Sequence, residues 1–554
     1  MGELDCEREE LEHSPTIDEL KTRPADERLG DVRLRHAETH EVILIPTPTD
    51  DPNDPLNWSK RYRMYIALLV CLAMFLSTFL AAGPSIAIVN ITEDFFDGSP
   101  AQLSGNIAKV AYFFTTCSLL QGIGTLFWMP FIVKFGRRPS YVLSFLLYTG
   151  AAVWAGAAKT YNSELAARII LGLASGAGEC LAPLTIADIF FLHERGAIMA
   201  IYTCALSAGA SGGIILSGLI TIHLHWRYIY WVSVALIGTC TLLVIFTFPE
   251  TEFDRSTNVV GLASAFDPEI LRDRHLAQTE NSPKTEPSAN NPSVPARYPY
   301  WRSMRLYSGI WTQESWLKLF LRPVVLLCLP PVLLATLIMS VTIGFLVAIS
   351  SNFATAMATA YGFAPWQSGL CYIAGILGAL VGIFFGGHLS DGVADFFTKR
   401  NGGNREPEMR LPAIIISNIT APLSLVLYGV GVGTKLPWIV PTLGLGFLNF
   451  SIVQSMNVVL VYAIDSYRPI AGEVTVTLLS FKAAFGFLLN FYTNPWISQS
   501  GYSAAFGEMA AISGIVILGW VPFYIWGKKI RHMTWQWGVV KRVAHWDEDR
   551  EVGE

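Results

Sequence analysis

The sequence predicts an all-α integral membrane protein with twelve transmembrane helices in two six-helix bundles. Three observations lead to this prediction. The 554 residues are 52% hydrophobic and only 15% charged, so polar side chains cannot cover the apolar atoms in water. Twelve apolar segments have the length of about 20 residues that spans a hydrocarbon core. A polar stretch in the middle of the chain divides them into two groups of six.

Charged or turn-rich pieces set the limits of the apolar segments. Those of the first half are predicted at about 64–89, 103–128, 139–158, 164–187, 197–222 and 228–248. Those of the second half are predicted at about 323–349, 367–389, 411–433, 438–461, 474–495 and 502–526. Because the number of crossings is even, both termini are predicted on the same side of the membrane.

Polar regions complete the domain organisation. We predict an N-terminal tail at 1–63, a first bundle at 64–249, a linker at 250–322, a second bundle at 323–527 and a C-terminal tail at 528–554. The linker is rich in Pro, Ser and Asn and cannot bury enough apolar surface to offset the entropy lost on ordering. It is therefore predicted to be a flexible, partly disordered cytoplasmic segment.

The distribution of cations predicts which side is cytoplasmic. Lys60, Arg61 and Arg63 stand directly before the first apolar segment. Short loops on the same predicted side carry Lys134, Arg137, Arg138, Arg195, Lys399, Arg400, Arg405, Arg410 and Arg468. The opposite loops carry Lys159, Arg227 and Lys435. Since cytoplasmic loops hold the excess of Lys and Arg, both termini are predicted inside the cell.

Composition and motifs argue against several other functions. The net charge of −5 is spread over tails and loops without a basic stripe, which argues against a nucleic-acid partner. Seven of the eight cysteines fall in apolar segments, so no disulfide framework is predicted. The chain has no GxxxxGK phosphate loop and no histidine pair with metal-binding spacing. We therefore predict no enzyme activity, no cofactor and no metal site.

Two loop motifs carry a resemblance to a known family. GTLFWMPFIVKFGRRP, from Gly124 to Pro139, resembles the loop after the second span of the major facilitator superfamily, and GGHLSDGVADFFTKR is similar to its weaker repeat after the eighth. The pieces DPNDPLNWS, HWRYIYW and FPETEFDR are similar to fungal members of the drug:proton antiporter branch. The resemblance implies two bundles that rock about a central cavity, and a monomer in the plasma membrane. It also implies gating roles for Gly124, Gly136, Arg137, Arg138 and Asp391.

The chain departs from the family pattern at two places. Val133 stands where members usually carry an acidic residue three positions before the loop glycine, although the counterpart Asp391 is present in the second half. The fifth-span antiporter motif has Gly213 at the usual proline and Ser217 at a usual glycine. These departures leave the direction of transport open.

Two ionisable residues stand inside the fourth span. Arg168 and Glu179 share one helical stripe with Gly172 and Ser175, and they lie about 16 Å apart along the axis. A charge at membrane depth is costly and usually faces the bundle interior. In the functional interpretation, Glu179 exchanges a proton or meets a cationic solute, and Arg168 holds the fold or an anion. In the alternative, the two residues form a buried fixture of the first bundle.

The tenth and eleventh spans add further polar candidates for a substrate or proton pathway. Lys482 lies well inside the eleventh span, where it must meet an acid, shift its pKa or extend to the interface, and Asn490 follows two turns later. Asn449, Gln454 and Asn457 in the tenth span can offer donors and acceptors to a ligand. The same amides can instead bond neighbouring helices.

The combined prediction is a secondary transporter that couples a small organic solute to protons by alternating access. The resemblance favours export of a drug-like compound or secondary metabolite, with protons, the solute and the lipid bilayer as partners. One alternative is proton-coupled import of a cationic nutrient such as a polyamine, with Glu179 as its counter-charge. Another is a membrane sensor that binds a ligand without transporting it.

Overall fold

A computed structural model gives the fold of this chain. It describes residues 32–33, 48–49, 51–96, 103–253, 297–307, 309–401, 404–467, 470–535, 537–538 and 540. Residues 254–296, which belong to the predicted flexible linker, lie outside the described residues. The same is true of most of the predicted N-terminal tail and of the end of the C-terminal tail. Within the described residues, the prediction of an all-helical membrane protein is confirmed, and β structure is a two-residue antiparallel pair, Val32–Arg33 with Asn404–Arg405.

Six long helices form the first half. They are α1 Lys60–Ala82, α2 Leu103–Phe135, α3 Arg137–Ala157, α4 Tyr161–Ile189, α5 Leu192–Ile220 and α6 Tyr228–Thr247. After α1 the chain continues through a 3₁₀ turn, Gly83–Ala87, into a short helix, Ile88–Phe95. The helices exceed the predicted apolar segments at several ends because helical hydrogen bonding continues into polar sequence outside the hydrocarbon core.

The second half repeats this plan. Its long helices are α7 Pro330–Tyr361, α8 Ile373–Ile383, α9 Ile415–Gly433, α10 Ile439–Ser466, α11 Ala471–Leu518 and α12 Trp520–Trp535. Helix α8 is preceded by Pro365–Leu370 and continues through a π-helical turn, Phe384–Leu389, into Ser390–Arg400. A 3₁₀ segment, Pro407–Ile414, leads into α9.

The last two membrane crossings lie in one helical stretch. Eleven helical stretches among the described residues are long and apolar enough to cross a membrane, and the final one, Ala471–Trp535, contains 65 residues. At 1.5 Å per residue it would extend roughly 100 Å, about three times the thickness of a hydrocarbon core. Gly501 breaks it with φ 76° and ψ 166°, a conformation open to glycine. The eleven stretches therefore provide the twelve predicted crossings.

The helix directions give the molecule two ends. We name them the Arg137 end, where α2 meets α3, and the Trp226 end, where the turn before α6 lies. At the Arg137 end a short helix, Trp316–Leu326, precedes α7, and Lys134 lies over the ring of its first residue, Trp316. The N–H of Trp311 donates to the carbonyl of Lys134 at 3.0 Å. The last part of the predicted linker is thus packed against the first half at the Arg137 end.

Candidate functional site

A buried ion pair joins the two halves at the centre of the molecule. Lys482 Nζ of α11 lies 3.3 Å from Glu179 Oε2 of α4. Gln121 Nε2 of α2 donates to Glu179 Oε1 at 2.8 Å. The three residues are only 2%, 5% and 6% exposed, respectively. Since a lone charge is costly in such surroundings, each member of the pair supplies the counter-charge of the other.

The pair lies well inside the predicted membrane thickness, on the side of the Arg137 end. Glu179 is ten residues from the Arg137 end of α4, and Lys482 is eleven residues from the same end of α11. These separations correspond to about 15 Å and 17 Å along helices whose ends extend beyond the hydrocarbon core, so the pair lies inside the core and closer to the Arg137 end. Lys482 therefore meets an acid at this depth and does not extend its amine to the interface.

Two glycines allow the helices to approach closely enough to form this site. A Cβ on Gly122 of α2 would overlap the Cβ of Ala483, next to Lys482. A Cβ on Gly176 of α4 would overlap the carbonyl oxygen of Gln121. Small residues at helix crossings bring backbones together in membranes. The glycines of the sequence thus set the distance across which Gln121, Glu179 and Lys482 meet.

Further polar groups surround the ion pair. Thr125 Oγ1 and Ser480 Oγ are in hydrogen-bond contact between α2 and α11, one helical turn or less from Gln121 and Lys482. The hydroxyl of Tyr202 in α5 donates to the backbone carbonyl of Glu179 at 3.2 Å. A polar layer therefore crosses the interface between the two halves at this level.

Arg168 belongs to a separate cluster inside the first half. Its Nε lies 3.4 Å from Glu164 Oε1, and its NH1 donates to the carbonyl of Leu80 at 3.2 Å. The guanidinium also lies over the rings of Phe114 and Tyr230, and the Tyr230 hydroxyl bonds Glu164. Arg168 is fully buried, so the stripe that it shares with Glu179 faces the protein interior. Its charge is balanced by Glu164, one turn away, within the same helix.

The amides of α10 fall into two groups. Asn449 accepts a hydrogen bond from Ser207 Oγ of α5 at 2.6 Å, and Asn457 Nδ2 donates to the carbonyls of Gly386 and Gly196 at 2.6 Å and 3.4 Å. Both therefore connect the second half to α5 of the first. Gln454 instead bonds Ser417 and the carbonyl of Ala413, both within the second half. Asn490 lies in α11, and its side chain is outside the described part of the structure.

The π-helical turn after α8 gives Asn457 its partner. A π turn shifts the backbone hydrogen bonds and is often found at functional positions. The Asn457 amide binds the Gly386 carbonyl inside this turn, and a Cβ on the next residue, Gly387, would lie 3.2 Å from the Cβ of Ala200 in α5. The turn therefore lies at a contact between the halves near the Arg137 end.

Carboxylates hold Arg137 and the start of α3. Arg137 Nε donates to Asp188 Oδ2 at 3.0 Å, and its guanidinium is also paired with Glu252. The N–H groups of Arg137 and Arg138 donate to the carboxylate of Glu250 at 2.9 Å and 3.2 Å. Burial raises the pKa of Glu250, although these N–H groups favour its charged form. The acids that hold this turn thus come from α4 and from the segment after α6. Position 133, where family members usually carry an acid, is a valine.

The other residues of the first half that were predicted to act in gating also have defined positions. Gly136 has φ 95°, a value that favours glycine, at the sharp turn between α2 and α3. Arg138 donates to the carbonyls of Ile245 and Phe248 at the end of α6. Gly124 packs against Leu173 of α4, whose carbonyl would lie 2.8 Å from an added Cβ. Arg138 thus connects α3 to α6 at the Arg137 end, and Gly124 lets α2 pack against α4 deeper in the bundle.

Asp391 has the corresponding place in the second half. Its Oδ1 lies 2.8 Å from Arg410 NH1 and 3.7 Å from Arg405 NH2. A Cβ on Gly196, in the first turns of α5, would lie 2.5 Å from the other carboxylate oxygen of Asp391. The carboxylate is therefore wedged between two arginines of its own half and the backbone of the other half.

The halves touch at both ends in this conformation. At the Arg137 end, Asp391 and Asn457 meet Gly196. At the Trp226 end, Gly218 of α5 packs against Pro365 and Gly369. Together with the central ion pair, the halves are therefore in contact at both ends and between them.

Several residues of the site were not singled out in the sequence. Gln121, Thr125, Ser480 and Ser207 all lie inside apolar segments, where a polar side chain is itself a signal. That signal is weak for threonine and serine because both can bond the carbonyl of the preceding turn of their own helix. Glu164 stood near a predicted helix start, where an acid is common.

These features define the class of protein. Two helical bundles face one another across an interface that contains buried charge at membrane depth. A family model described as the Major Facilitator Superfamily matches residues 68–474. The chain belongs to this superfamily and is a multi-pass membrane transporter of some solute.

Similar proteins extend over nearly the whole chain. An uncharacterized MFS-type transporter of Schizosaccharomyces pombe is 25% identical over 528 residues, which cover 89% of each chain. Protein HOL1 of Saccharomyces cerevisiae is 26% identical over 556 residues, covering 90% of this chain and 91% of the relative. The proton:xylose symporter XylE of E. coli superposes with a TM-score of 0.57 at 15% identity, over 84% of this chain and 97% of the other. This last similarity concerns the fold alone.

Proposed function

We propose that the protein is a proton-coupled antiporter that exports a small organic solute carrying a positive charge or a strong hydrogen-bond donor. The observation that carries the proposal is the ion pair between Glu179 and Lys482 across the two bundles. Among the carboxylates of the described residues, Glu179 is the one that lies deepest inside the predicted apolar segments. A proton, Lys482 and the cationic group of a solute would each neutralise it.

Competition for one carboxylate leads to exchange. A buried carboxylate without a counter-charge is strongly disfavoured, so one partner leaves as another arrives. When Lys482 is the partner, α4 and α11 are tied and the centre of the interface is closed. When a proton or a solute is the partner, this tie is released and the bundles are free to separate at one end. Solute and proton then bind in alternation, which is the requirement for antiport.

The contacts at the two ends act as gates in this scheme. Separation at Asp391 and Gly196 opens the centre to the Arg137 side, and separation at Gly218 and Gly369 opens it to the Trp226 side. We place the Arg137 end in the cytoplasm, together with both termini, because the excess of Lys and Arg lies there. We further propose that the protein acts as a monomer in the plasma membrane.

Import of a cationic nutrient such as a polyamine is the main alternative. Glu179 would again be the counter-charge for the solute. Symport requires proton and solute to bind at the same time, so with the solute on Glu179 it needs a second group that binds the proton. Glu164 is buried on the same helix, but it is already engaged by Arg168 and Tyr230 inside the first half. The geometry therefore favours antiport over symport.

Flux in sealed inside-out vesicles tests the proposal. The vesicle lumen is made acidic, and uptake of tetraphenylphosphonium, spermidine and fluconazole is measured for the wild type. Antiport predicts accumulation of at least one probe that collapses when the gradient is dissipated. Symport predicts gradient-driven loss of a preloaded probe, and a sensor predicts no gradient-dependent movement of any of them.

Two variants of α4 sharpen this experiment. Glu179→Gln removes the proposed exchange site, so gradient-dependent accumulation should disappear while the protein still inserts. Glu164→Gln is the matched control, because it removes a buried acid of the same helix that contacts only the first half. It should lower stability and keep the dependence on the gradient. Undiminished accumulation by Glu179→Gln would exclude the proposed role of Glu179.

A further inference from the structure

A large cavity lies at the Arg137 end, away from the central ion pair. Its volume is about 1100 Å³, and three parts of the chain line it: residues 51–65, residues 246–253 and residues 297–311. The lining includes the aromatic side chains of Trp58, Tyr65, Phe246 and Tyr298. The first two parts carry the beginning of α1 and the end of α6, so the cavity lies at the level where the helices leave the hydrocarbon core.

Three exposed arginines give the cavity positive charge. Arg297, Arg302 and Arg305 line it and are exposed. None of the three is ion-paired to a carboxylate of the described residues, and Arg302 lies 4.2 Å from the centre of the Tyr298 ring. Lys60 and Arg61 begin α1 directly after Trp58 and Ser59, which contact the same region beside Arg297.

The acids of the cavity are already engaged. Asp51 accepts hydrogen bonds from the backbone and side chain of Asn53 at 2.8 Å and 2.7 Å. Glu250 accepts the N–H groups at the start of α3, and Glu252 is paired with Arg137. Glu252 is thus paired with a cation, and Asp51 and Glu250 accept N–H groups of the protein. The exposed guanidinium groups of the three arginines are therefore the groups that remain to bind an anion.

An apolar surface continues from the cavity along the membrane face. Tyr65 of α1 and Phe246 of α6 are 39% and 60% exposed, and the Tyr65 hydroxyl is 2.7 Å from Thr247 Oγ1. Farther along the same helices, Leu68 and Leu242 are 55% and 57% exposed. The cavity thus combines a cationic, aromatic chamber at the interface with an apolar surface toward the lipid.

We propose that this cavity binds an anionic phospholipid of the adjacent leaflet. The phosphate of the headgroup lies among Arg297, Arg302 and Arg305, and the acyl chains lie along the exposed faces of α1 and α6. Basic residues at the cytoplasmic surface attract anionic lipids, and arginine is suited to bidentate binding of phosphate. A bound lipid bridges α1, α6 and residues 297–305, and therefore stabilises the Arg137 end of the first bundle.

Native mass spectrometry of the full chain in detergent tests this site. The probes are dioctanoyl phosphatidic acid, dioctanoyl phosphatidylcholine and inorganic phosphate. The wild type should bind phosphatidic acid in preference to phosphatidylcholine, and inorganic phosphate should compete only weakly. Equal binding of the two lipids would overturn the proposal. Full displacement by inorganic phosphate would overturn the assignment to a lipid, since it indicates a site for free anions.

Matched variants locate the binding. Arg302→Gln with Arg305→Gln should weaken binding of phosphatidic acid by roughly thirtyfold, the loss expected for two cations near a membrane surface. Lys399→Gln with Arg400→Gln removes two exposed cations at the same end of the molecule and should leave binding unchanged. Arg302→Lys with Arg305→Lys keeps the charge and should retain most of the affinity. Equal affinity of the Arg302/Arg305 glutamine variant and the wild type would overturn the proposal.

Discussion

Lys482 and Glu179 come from opposite halves of the chain, and their charged atoms lie 3.3 Å apart in the interior. Each is almost fully buried, and a third helix contributes Gln121 as a hydrogen-bond donor to the same carboxylate. In the proposed mechanism the two halves move relative to one another, and the pair breaks and re-forms in each cycle. The pair, the glycine contact next to it, one end contact and the separate cluster around Arg168 each lead to one prediction.

Removing one member of the central pair should destabilise the protein more than removing both. Lys482→Gln leaves Glu179 as a buried charge without its cation, at an expected cost of about 3–5 kcal/mol. The double variant with Glu179→Gln replaces both charges by amides and should recover part of this loss. Thermal unfolding of the four proteins in detergent, followed by tryptophan fluorescence, measures the coupling between the two sites.

The control cycle uses Lys60 and Glu194, whose charged atoms are 4.0 Å apart with Lys60 76% exposed. Exposed pairs contribute about 0–1 kcal/mol, so this cycle should show little coupling. Additive effects of Glu179→Gln and Lys482→Gln would contradict the prediction.

Gly122→Ala should push α2 away from α11. An added Cβ would overlap Ala483, and overpacking of a tight contact costs roughly 1–3 kcal/mol. The change should lower the melting temperature and reduce transport, because it displaces Gln121 and Lys482. Gly150→Ala in α3 is the control, since no atom lies within 4 Å of the added Cβ. Only Gly122→Ala should lower the melting temperature and transport. Equal melting temperatures and equal transport of the two variants would contradict the close contact at Gly122.

Asp391→Asn should open the Arg137 end. Asp391 is paired with Arg410 and Arg405 and lies against Gly196 of the first half. Loss of its charge weakens its pairing with both arginines, so these no longer fix the side chain against Gly196 and the contact between the halves loosens. Spin labels are attached to cysteines that replace Arg61 and Lys399, and the distance between the labels is measured. Cys6, in the polar tail, and the exposed Cys328 are first changed to Ser so that they do not take up label. The distribution should shift to longer distances.

Asp395→Asn is the matched control for this experiment. Asp395 is on the same helix and is paired with Arg405 at 3.1 Å, but its side chain is 60% exposed. It should leave the distance distribution at the wild-type position. A shift of the same size in both variants would mean that Asp391 has no special role in the contact between the halves.

Arg168→Gln should destabilise the first bundle without abolishing the response to a proton gradient. The change leaves Glu164 as a buried acid without its cation, and the expected loss is again about 3–5 kcal/mol. Arg168→Lys keeps the charge but loses the planar contact with Phe114 and Tyr230, so it should fall between the glutamine variant and the wild type. Melting temperature and vesicle flux are measured together. A variant of normal stability that has lost all proton dependence would place Arg168 in the transport path.

The membrane fold could be predicted from the sequence because lipid imposes strong local constraints. A backbone in hydrocarbon has to satisfy its own hydrogen bonds, so an apolar segment of sufficient length becomes a helix. The twelve predicted crossings and the all-helical class are confirmed on this basis. The boundary between the last two crossings was also predictable, since Gly501, inside α11, breaks the helix between the segments 474–495 and 502–526.

The partners of the buried charges could not be predicted in the same way. The stripe of Arg168 and Glu179 in α4 indicates that both face inward, but it does not show that Arg168 pairs with Glu164 and Glu179 with Lys482. Similarly, Asn449, Gln454 and Asn457 are equivalent amides in the sequence. Their surroundings divide them into two that reach the other half and one that stays within its own.

The sequence by itself determined that the protein lies in a membrane, how often it crosses it and which charged residues lie inside the spans. These properties depend on local composition and segment length. Only the tertiary structure decided which charges meet. Residues far apart in the chain are brought together by helix crossings, and the distance at each crossing depends on glycines such as Gly122 and Gly176 fitting against a particular neighbour.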